Sequence, residues 1–214
     1  MNRWFKHSYA AVFIGLIPIT FAQAQDVWIT SDMPFLEFES DEGAFFIERN
    51  QDNDAQITGM FTKTSRPCPP FCIQPLEVAK GVRTVAEIEL LDFLQDYVET
   101  GRGYLIDARL ESFYRSGTIP GAISMPFNVF APVETNPFLD QTLSALGAKT
   151  DAFGQWSFDD VAYLLLFCNG PWCGQSPQAI KNLISLGYPA DHLFYYRGGM
   201  QVWSIMGLSI MVPG

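Results

Sequence analysis

A short apolar run that ends at a cysteine constrains the fold of this chain more than any other feature. Val161–Phe167 (VAYLLLF) is continuous, apolar and of strand length, and Ser176–Leu186 (SPQAIKNLISL) carries apolar residues at helical spacing. Cys168 lies where the strand is expected to end. The pattern therefore predicts a strand, a tight loop and a helix, a building unit of α/β proteins with parallel sheets.

The loop between these two elements is predicted to be a reactive-thiol site. It contains, in order, Cys168, Asn169, Gly170, Pro171, Trp172, Cys173, Gly174 and Gln175, and the helix follows at Ser176. Because the first N–H groups of a helix are unpaired and carry partial positive charge, a thiol beside them is biased toward the thiolate. Cys168 is therefore a candidate nucleophile, and the alternative is a buried structural cysteine.

The first 24 residues have the pattern of a secretory signal peptide. Two basic residues precede an apolar segment, Ala10–Phe21, and Ala22-Gln23-Ala24 is a small-x-small cleavage site. A membrane anchor is the alternative, but about 12 residues interrupted by Pro18 are short for a span that needs about 20. We therefore expect cleavage after Ala24, a periplasmic or secreted protein, and no membrane span after cleavage.

Composition and charge narrow the classes of function. The chain has 214 residues, 48% of them apolar and 17% charged, which is enough for one hydrophobic core. Its formal net charge of −10 becomes −12 without residues 1–24, which carry two basic and no acidic side chains. Nucleic acid is therefore a poor partner. His192 is the one histidine left after cleavage, so a multi-histidine metal site is excluded.

Residues 25–81 are expected to form a small β extension followed by a connector. Val27-Trp28-Ile29, Phe35–Phe38 and Ala44–Glu48 are typical of short strands, and turn-forming clusters separate them. The connector, Arg66–Pro75 (RPCPPFCIQP), is rich in proline and is therefore predicted to be stiff and non-helical.

The connector carries two cysteines, Cys68 and Cys72, that fit three kinds of site. An oxidising compartment tolerates disulfides, so they can pair with each other or with Cys168 and Cys173. They can also be a redox-active pair, although thioredoxin-type pairs have two intervening residues and this pair has three. The third alternative is a four-cysteine zinc site, with spacings wider than the usual two-residue knuckle. The sequence does not choose among the three.

The region between the connector and the loop alternates helical and strand patterns. Thr84–Glu87 matches a capping box, which predicts a helix over 85–98. Strands are expected near 104–107, 122–125, 161–167 and 193–196, and a helix is expected near 138–146. This order predicts an α/β fold, a mainly parallel sheet flanked by helices, with the small β extension at its N-terminal side.

Three stretches together resemble the rhodanese family. Leu105–Pro126 (LIDARLESFYRSGTIPGAISMP) is similar to its first signature, a strand ending in Asp-x-Arg before a Gly-His-Ile-Pro-Gly-Ala turn, with Thr118 in place of the usual histidine. Cys168 lies where rhodaneses keep their catalytic cysteine. Phe194–Gly207 (FYYRGGMQVWSIMG) resembles the closing signature. The resemblance covers about residues 82–211.

The resemblance implies a rhodanese-like domain over residues 82–214 and a sulfurtransferase mechanism. In that family a sulfane sulfur passes from a small donor to a thiol or cyanide acceptor through a persulfide on one cysteine, here Cys168. Neither a metal nor an organic cofactor is required. Asp107 and Arg109 are expected to be framework residues near the site.

The loop departs from the family pattern in two respects. It is longer than usual and has no basic residue, with Gln175 where arginine is common, so we expect weak activity on dianionic thiosulfate. Cys173 can form a disulfide with Cys168 or exchange sulfur with it. Two alternatives to the sulfurtransferase therefore stay open. One is a thiol–disulfide redox protein that uses Cys68/Cys72 with Cys168/Cys173 and has a thiol-redox protein as partner. The other is a catalytically silent rhodanese-like binding module.

Overall fold

Residues 26–214, which the computed structural model describes, contain nine strands and five α-helices. The strands are β1 (Phe35–Ser40), β2 (Gly43–Glu48), β3 (Arg83–Val85), β4 (Gly103–Asp107), β5 (Ala122–Ser124), β6 (Lys149–Thr150), β7 (Trp156–Ser157), β8 (Tyr163–Phe167) and β9 (Leu193–Tyr196). The helices are α1 (Glu87–Phe93), α2 (Glu111–Ser116), α3 (Leu139–Ala145), α4 (Gln175–Leu186) and α5 (Gly199–Ile205). A π-helical turn, Leu94–Val98, continues α1, and 3-10 turns lie at Gly59–Thr62, Phe127–Phe130 and Ala190–His192.

The central sheet has five parallel strands in the order β3-β9-β8-β4-β5. β8 lies in the middle, and its side chains from Leu164 to Phe167 are fully buried. A strand buried on both faces is continuously apolar, which explains the run seen in the sequence. The predicted α/β fold with a mainly parallel sheet is therefore confirmed.

Alternation along the central strands divides the core into two halves. Leu165 and Phe167 pack on one face of the sheet in a cluster that includes Trp203 of α5. Leu164 and Leu166 point to the other face and pack in a second cluster that includes Ile180 of α4. Because successive side chains of a strand point to opposite faces, one five-residue strand serves both clusters.

The N-terminal extension is an antiparallel hairpin of β1 and β2. Its inward side chains, Leu36, Phe38 and Ile47, belong to the same core cluster as Trp203. Two of the three expected strands are present, but Val27–Ile29 is not a strand. It leads instead into a turn, in which the N–H of Ile29 donates to the carbonyl of Met33 at 2.9 Å.

The predicted capping box at Thr84 is wrong. Thr84 lies in β3, opposite Tyr195 of β9, and its hydroxyl donates to the carbonyl of Leu76. The helix begins two residues later than expected, at Glu87, and the side chain of Glu89 accepts the N–H of Ala86 at 3.1 Å. Pairing with the edge of the sheet therefore outweighs the local cap signal.

The segment between β5 and β8 carries α3 and the two-stranded β6–β7 ribbon. Of its aromatic residues, Trp156 and Phe158 pack against the second core cluster, whereas Phe153 is 89% exposed. None of the helices in residues 26–214 is long and apolar enough to cross a membrane. The predicted signal peptide, residues 1–24, lies outside the described residues.

Candidate active site

The predicted active-site loop joins the carboxyl end of β8 to the N-terminus of α4. In open parallel sheets this edge is where ligands bind, because loops from neighbouring strands meet there. Cys168 and Cys173 are both free thiols and nearly buried, with 2% and 6% of their surface exposed. The fold therefore places the two loop cysteines together at the edge where chemistry is expected.

The cysteine sulfurs lie among hydrogen-bond donors from the loop and the helix start. The Ser176 hydroxyl donates to Cys168 Sγ at 3.1 Å, and the Ser176 backbone N–H also favours charge there. The backbone N–H groups of Asn169 and Gln175 do the same for the Cys173 sulfur. The expected N–H groups are thus present, but some of them face the sulfur of Cys168 and others face the sulfur of Cys173.

The two thiols influence each other's ionisation. Burial raises the pKa of the Cys168 thiol well above its ordinary value. The pKa of Cys173 is lowered to about 7, first by the neighbouring Cys168 side chain acting as a donor, and further by the two backbone N–H groups and the nearby Arg109 charge. The Cys168 thiol lies 3.4 Å from the carbonyl oxygen of Cys173. The first negative charge of the pair therefore resides on Cys173, whereas the sequence placed it on Cys168. The reason is burial: a charge at Cys168 would be farther from water.

This assignment predicts how the loop thiols react as pH changes. Because the folded pKa of Cys173 is about 7, below the ordinary thiol value of 9.0, the anionic form of the pair is half populated near pH 7. The initial rate of alkylation by iodoacetamide, which reacts with thiolates, should therefore rise as pH increases through about 7 and then level off. In Cys173→Ser the midpoint should move upward, since the pKa of Cys168 is raised by burial. An unchanged midpoint in the variant would contradict the assignment.

Asp107 and Arg109 form a buried ion pair at the end of β4, beside the loop. Arg109 Nε and Nη2 donate to the Asp107 carboxylate at 2.8 and 2.6 Å, and the two side chains are 2% and 0% exposed. Thr118 donates its hydroxyl to the same carboxylate at 2.8 Å. Arg109 Nη1 lies 3.4 Å from the side-chain oxygen of Asn169, which links the pair to the active-site loop.

The glycine pair at the start of α5 allows a close approach that no other residue type permits. Gly199, the first residue of α5, has a φ of +56°, and a Cβ added there would overlap the Cys168 carbonyl oxygen. The next two N–H groups, of Met200 and Gln201, donate to the carbonyls of Cys168 and Asn169 at 3.0 Å each. The start of α5 therefore fixes the backbone of the predicted nucleophile. The sequence showed the Gly-Gly pair, but it did not show that this pair packs against the backbone of Cys168.

The connector packs directly on the active-site loop, which the sequence did not indicate. The N–H of Gln74 donates to the carbonyl of Pro171 at 2.8 Å, and the ring of Phe71 meets that of Trp172 edge to face at 5.2 Å. The Arg66 guanidinium lies 4.2 Å from the centre of the Trp172 ring. A basic residue is therefore near the loop in space, although the loop itself contains none.

The cysteines of the connector are bonded to each other. Cys68 and Cys72 form a disulfide, with their Cα atoms 4.7 Å apart. Among residues 26–214, no group of three or more histidine, cysteine, aspartate or glutamate side chains is placed to hold a metal ion. A disulfide also removes the two thiolates that zinc would need, so the structure does not support the four-cysteine zinc alternative.

A cavity of about 1010 Å³ lies beside the site, between the N-terminal extension and α5. Arg109 and Met200 line it together with residues 48–53 and 55–61. Neither Cys168 nor Cys173 is among the lining residues, so the cavity reaches the ion pair at the back of the loop without reaching either sulfur.

Comparison with known proteins identifies the domain. The family model of the Rhodanese-like domain matches residues 89–206. A search of curated proteins found no match. Among solved structures, the human single-domain sulfurtransferase TSTD1 is 25% identical, with 58% of this chain and 96% of that chain covered and a TM-score of 0.38. A rhodanese-related protein from Thermoplasma volcanium is 17% identical, with 61% and 99% covered and a TM-score of 0.41. The family match covers more than half of the chain, and we conclude that this protein belongs to the rhodanese-like domain family.

Proposed function

We propose that the protein is a sulfurtransferase that carries a sulfane sulfur as a persulfide on Cys168. The observation that carries this proposal is the position of the Cys168 sulfur, at the end of the central strand and within hydrogen-bond distance of the Ser176 hydroxyl at the start of α4. Membership of the rhodanese-like family supports it. Residues 169–176 surround the sulfur, and the Asp107–Arg109 pair lies beside the loop and supports it.

In the first step, Cys168 Sγ forms a bond to the outer sulfur of the donor. The bond between that sulfur and the rest of the donor breaks, and the leaving group departs with the electron pair. The proton of Cys168 passes to the Cys173 thiolate, whose pKa of about 7 suits it as a base near neutral pH. Cys173 therefore compensates for the high pKa of its buried neighbour.

In the second step, a thiol or cyanide acceptor attacks the outer sulfur of the persulfide. The bond between Cys168 Sγ and that sulfur breaks, and Cys168 leaves as a thiolate. The hydroxyl and N–H of Ser176 favour this charge, and Cys173 returns the proton. Splitting the transfer into two displacements is covalent catalysis, and both displacements use the same sulfur.

The proposal is tested by locating the transferred sulfur. The protein is incubated with a sulfur donor, its thiols are alkylated, and peptides are mapped by mass spectrometry. One additional sulfur atom on the peptide that contains Cys168 is the expected result. Additional sulfur on Cys173 alone, or on neither cysteine, would contradict the assignment.

Thiosulfate is expected to bind weakly. Of the arginines near the loop, Arg109 is paired with Asp107, Arg66 is stacked on Trp172 and Arg197 donates to the Gln74 carbonyl, so none presents an unengaged guanidinium to a dianion. A persulfide donor of lower charge should therefore have the higher kcat/KM. Steady-state kinetics with both donors on the same preparation measures this preference, and a lower KM for thiosulfate would contradict it.

We further propose that residues 1–24 are removed on export and that the sulfur-transfer domain comprises residues 82–214, with residues 25–81 as an extension that supports it. The basic and apolar pattern before Ala24 supports the first proposal. The mass of the mature protein, purified from the periplasm or medium of an expressing bacterium, tests it. Retention of residues 1–24 would contradict it.

A further inference from the structure

We propose that the connector disulfide and the active-site dithiol form one exchange system, in which Cys173 attacks Cys72 and releases Cys68. The product would be a Cys168–Cys173 disulfide and a reduced connector. This is a thiol–disulfide activity separate from sulfur transfer, and it assigns a role to the Pro/Cys connector outside the family match. The proposal rests on the packing of the connector against the active-site loop, on which connector cysteine is accessible, and on the proximity of the two loop thiols.

Residues on both sides of Cys72 contact the segment that contains Cys173. On one side of Cys72, the Phe71 ring lies 5.2 Å from the Trp172 ring. On the other side, Gln74 donates its N–H to Pro171 at 2.8 Å, and its side-chain amide nitrogen would be 3.6 Å from a Cβ at Gly174. Trp172, which precedes Cys173, therefore contacts Phe71, and Gly174, which follows Cys173, lies beside the side chain of Gln74.

Three further interactions hold the connector in this position. Arg66 lies between two partners, because its guanidinium faces the Trp172 ring at 4.2 Å and Nη2 donates to the Met60 carbonyl at 2.6 Å. Arg197, at the end of β9, donates from Nε and Nη2 to the Gln74 carbonyl at 3.0 and 2.9 Å. The connector is therefore attached to the loop and to the sheet edge, so the segment that carries the disulfide packs against the segment that carries the dithiol.

Exposure of the two connector cysteines sets the direction of attack. Cys72 is half-buried and flanked by the contacts to the loop, whereas Cys68 is exposed. An attack from the loop therefore reaches the Cys72 sulfur, and the exposed Cys68 is the leaving group. Cys173 is the attacking residue because it is the thiol of the pair that ionises near neutral pH, and the thiolate is the form that attacks disulfides.

The exchange needs no outside oxidant, because its atoms and electrons balance within the chain. Cys173 Sγ bonds to Cys72 Sγ, the Cys68–Cys72 bond breaks, and Cys68 leaves as a thiolate that takes a proton. Cys168 Sγ then bonds to Cys173 Sγ, the Cys72–Cys173 bond breaks, and Cys72 leaves and is protonated. The loop pair loses two electrons and two protons, and the connector pair gains both.

One consequence would be control of sulfur transfer, and this consequence alone rests on the proposed function. When Cys168 is bonded to Cys173 it has no thiol to attack a donor, so the oxidised loop is inactive. Reversal, with the reduced connector returning its electrons, would restore the thiol. The exposed Cys68 is the sulfur that an external dithiol protein would reach.

The mixed disulfide can be trapped in a variant that keeps only the two cysteines of the first step. Cys68→Ser/Cys168→Ser is reduced and given one equivalent of 5,5′-dithiobis(2-nitrobenzoate), which releases one thionitrobenzoate on labelling and a second if the neighbouring cysteine displaces the label. We expect two per protein, at a rate independent of protein concentration, and a Cys72–Cys173 peptide on mass mapping of the monomer.

A matched variant, Cys72→Ser/Cys168→Ser, keeps Cys68 with Cys173 instead. Its second release should be slower by about ten-fold or more, because Cys68 points to solvent. Equal second rates in the two variants, or no second release in Cys68→Ser/Cys168→Ser, would overturn the proposal. Circular dichroism of both variants shows whether they are folded. If they are not, the Cys168→Ser single variant gives the same test, since the mixed disulfide then leaves Cys68 free for alkylation.

Sulfur transfer is tested separately in Cys68→Ser/Cys72→Ser, which lacks the connector disulfide. Persulfide on Cys168 in this variant would support the proposed function whether or not the exchange occurs. Failure of exchange with intact persulfide formation therefore rejects only the present inference, and the reverse result rejects only the sulfurtransferase.

Discussion

Replacing Cys168 with serine is expected to lower sulfur transfer by at least about 10³-fold, the usual size of the effect when a covalent nucleophile is removed. A hydroxyl does not form a persulfide, so neither displacement can proceed. The substitution is small and the site is buried, and the serine hydroxyl can still meet the Ser176 hydroxyl that Cys168 meets now. The loss should therefore be chemical, with an unchanged far-ultraviolet circular dichroism spectrum.

Cys173→Ser is the matched control, since it changes the same atom five residues away. If Cys173 acts as a base, this variant should still load sulfur on Cys168, but more slowly at neutral pH. The rate should fall by no more than about 10²–10⁴-fold, the range typical of lost general-base catalysis. Full activity in Cys168→Ser together with sulfur on Cys173 would exchange the roles of the two residues.

The sequence predicted the parallel sheet because its strands carry strong, local signals. A strand buried on both faces must be apolar throughout, so β8 was recognisable from Leu164–Phe167 alone. The Asp107–Arg109 pair was predictable as framework because two opposite charges follow a buried strand directly. Such features are determined by neighbours in the sequence, and the structure agrees with the sequence there.

The differences arise where partners are distant in the sequence. Thr84 has the local pattern of a helix cap, but pairing with Tyr195, over a hundred residues away, makes it part of an edge strand. Phe71 and Trp172 are also far apart in the sequence, and the contact between their rings produces no periodic pattern in either segment. Ionisation also escaped prediction, because the placement of charge on Cys173 depends on how deeply each sulfur is buried.

Asp107→Ala is expected to destabilise the protein by about 3–5 kcal/mol, the usual cost of removing one partner of a buried ion pair. The carboxylate accepts from Arg109 Nε, Arg109 Nη2 and the Thr118 hydroxyl, all within 2.8 Å. Without it, Arg109 remains 2% exposed, with the Gly117 carbonyl at 2.7 Å as its remaining close partner. In the folded state the unpaired Arg109 charge stays buried away from water, whereas in the unfolded state it is hydrated. The substitution therefore destabilises the folded state relative to the unfolded state.

The effect should appear as a lower urea midpoint with an unchanged m-value, which assigns it to stability and not to a change in the denatured state. Arg115→Ala is the control, because its pair with Glu111 at 2.9 Å is 68% and 48% exposed and should contribute at most about 1 kcal/mol. The double variant Asp107→Leu/Arg109→Met removes both charges and should recover much of the loss, as apolar replacements of buried pairs do. If Asp107→Ala and Arg115→Ala have equal midpoints, the buried pair does not stabilise the fold. If the double variant is as unstable as the single one, the loss does not come from the unpaired arginine.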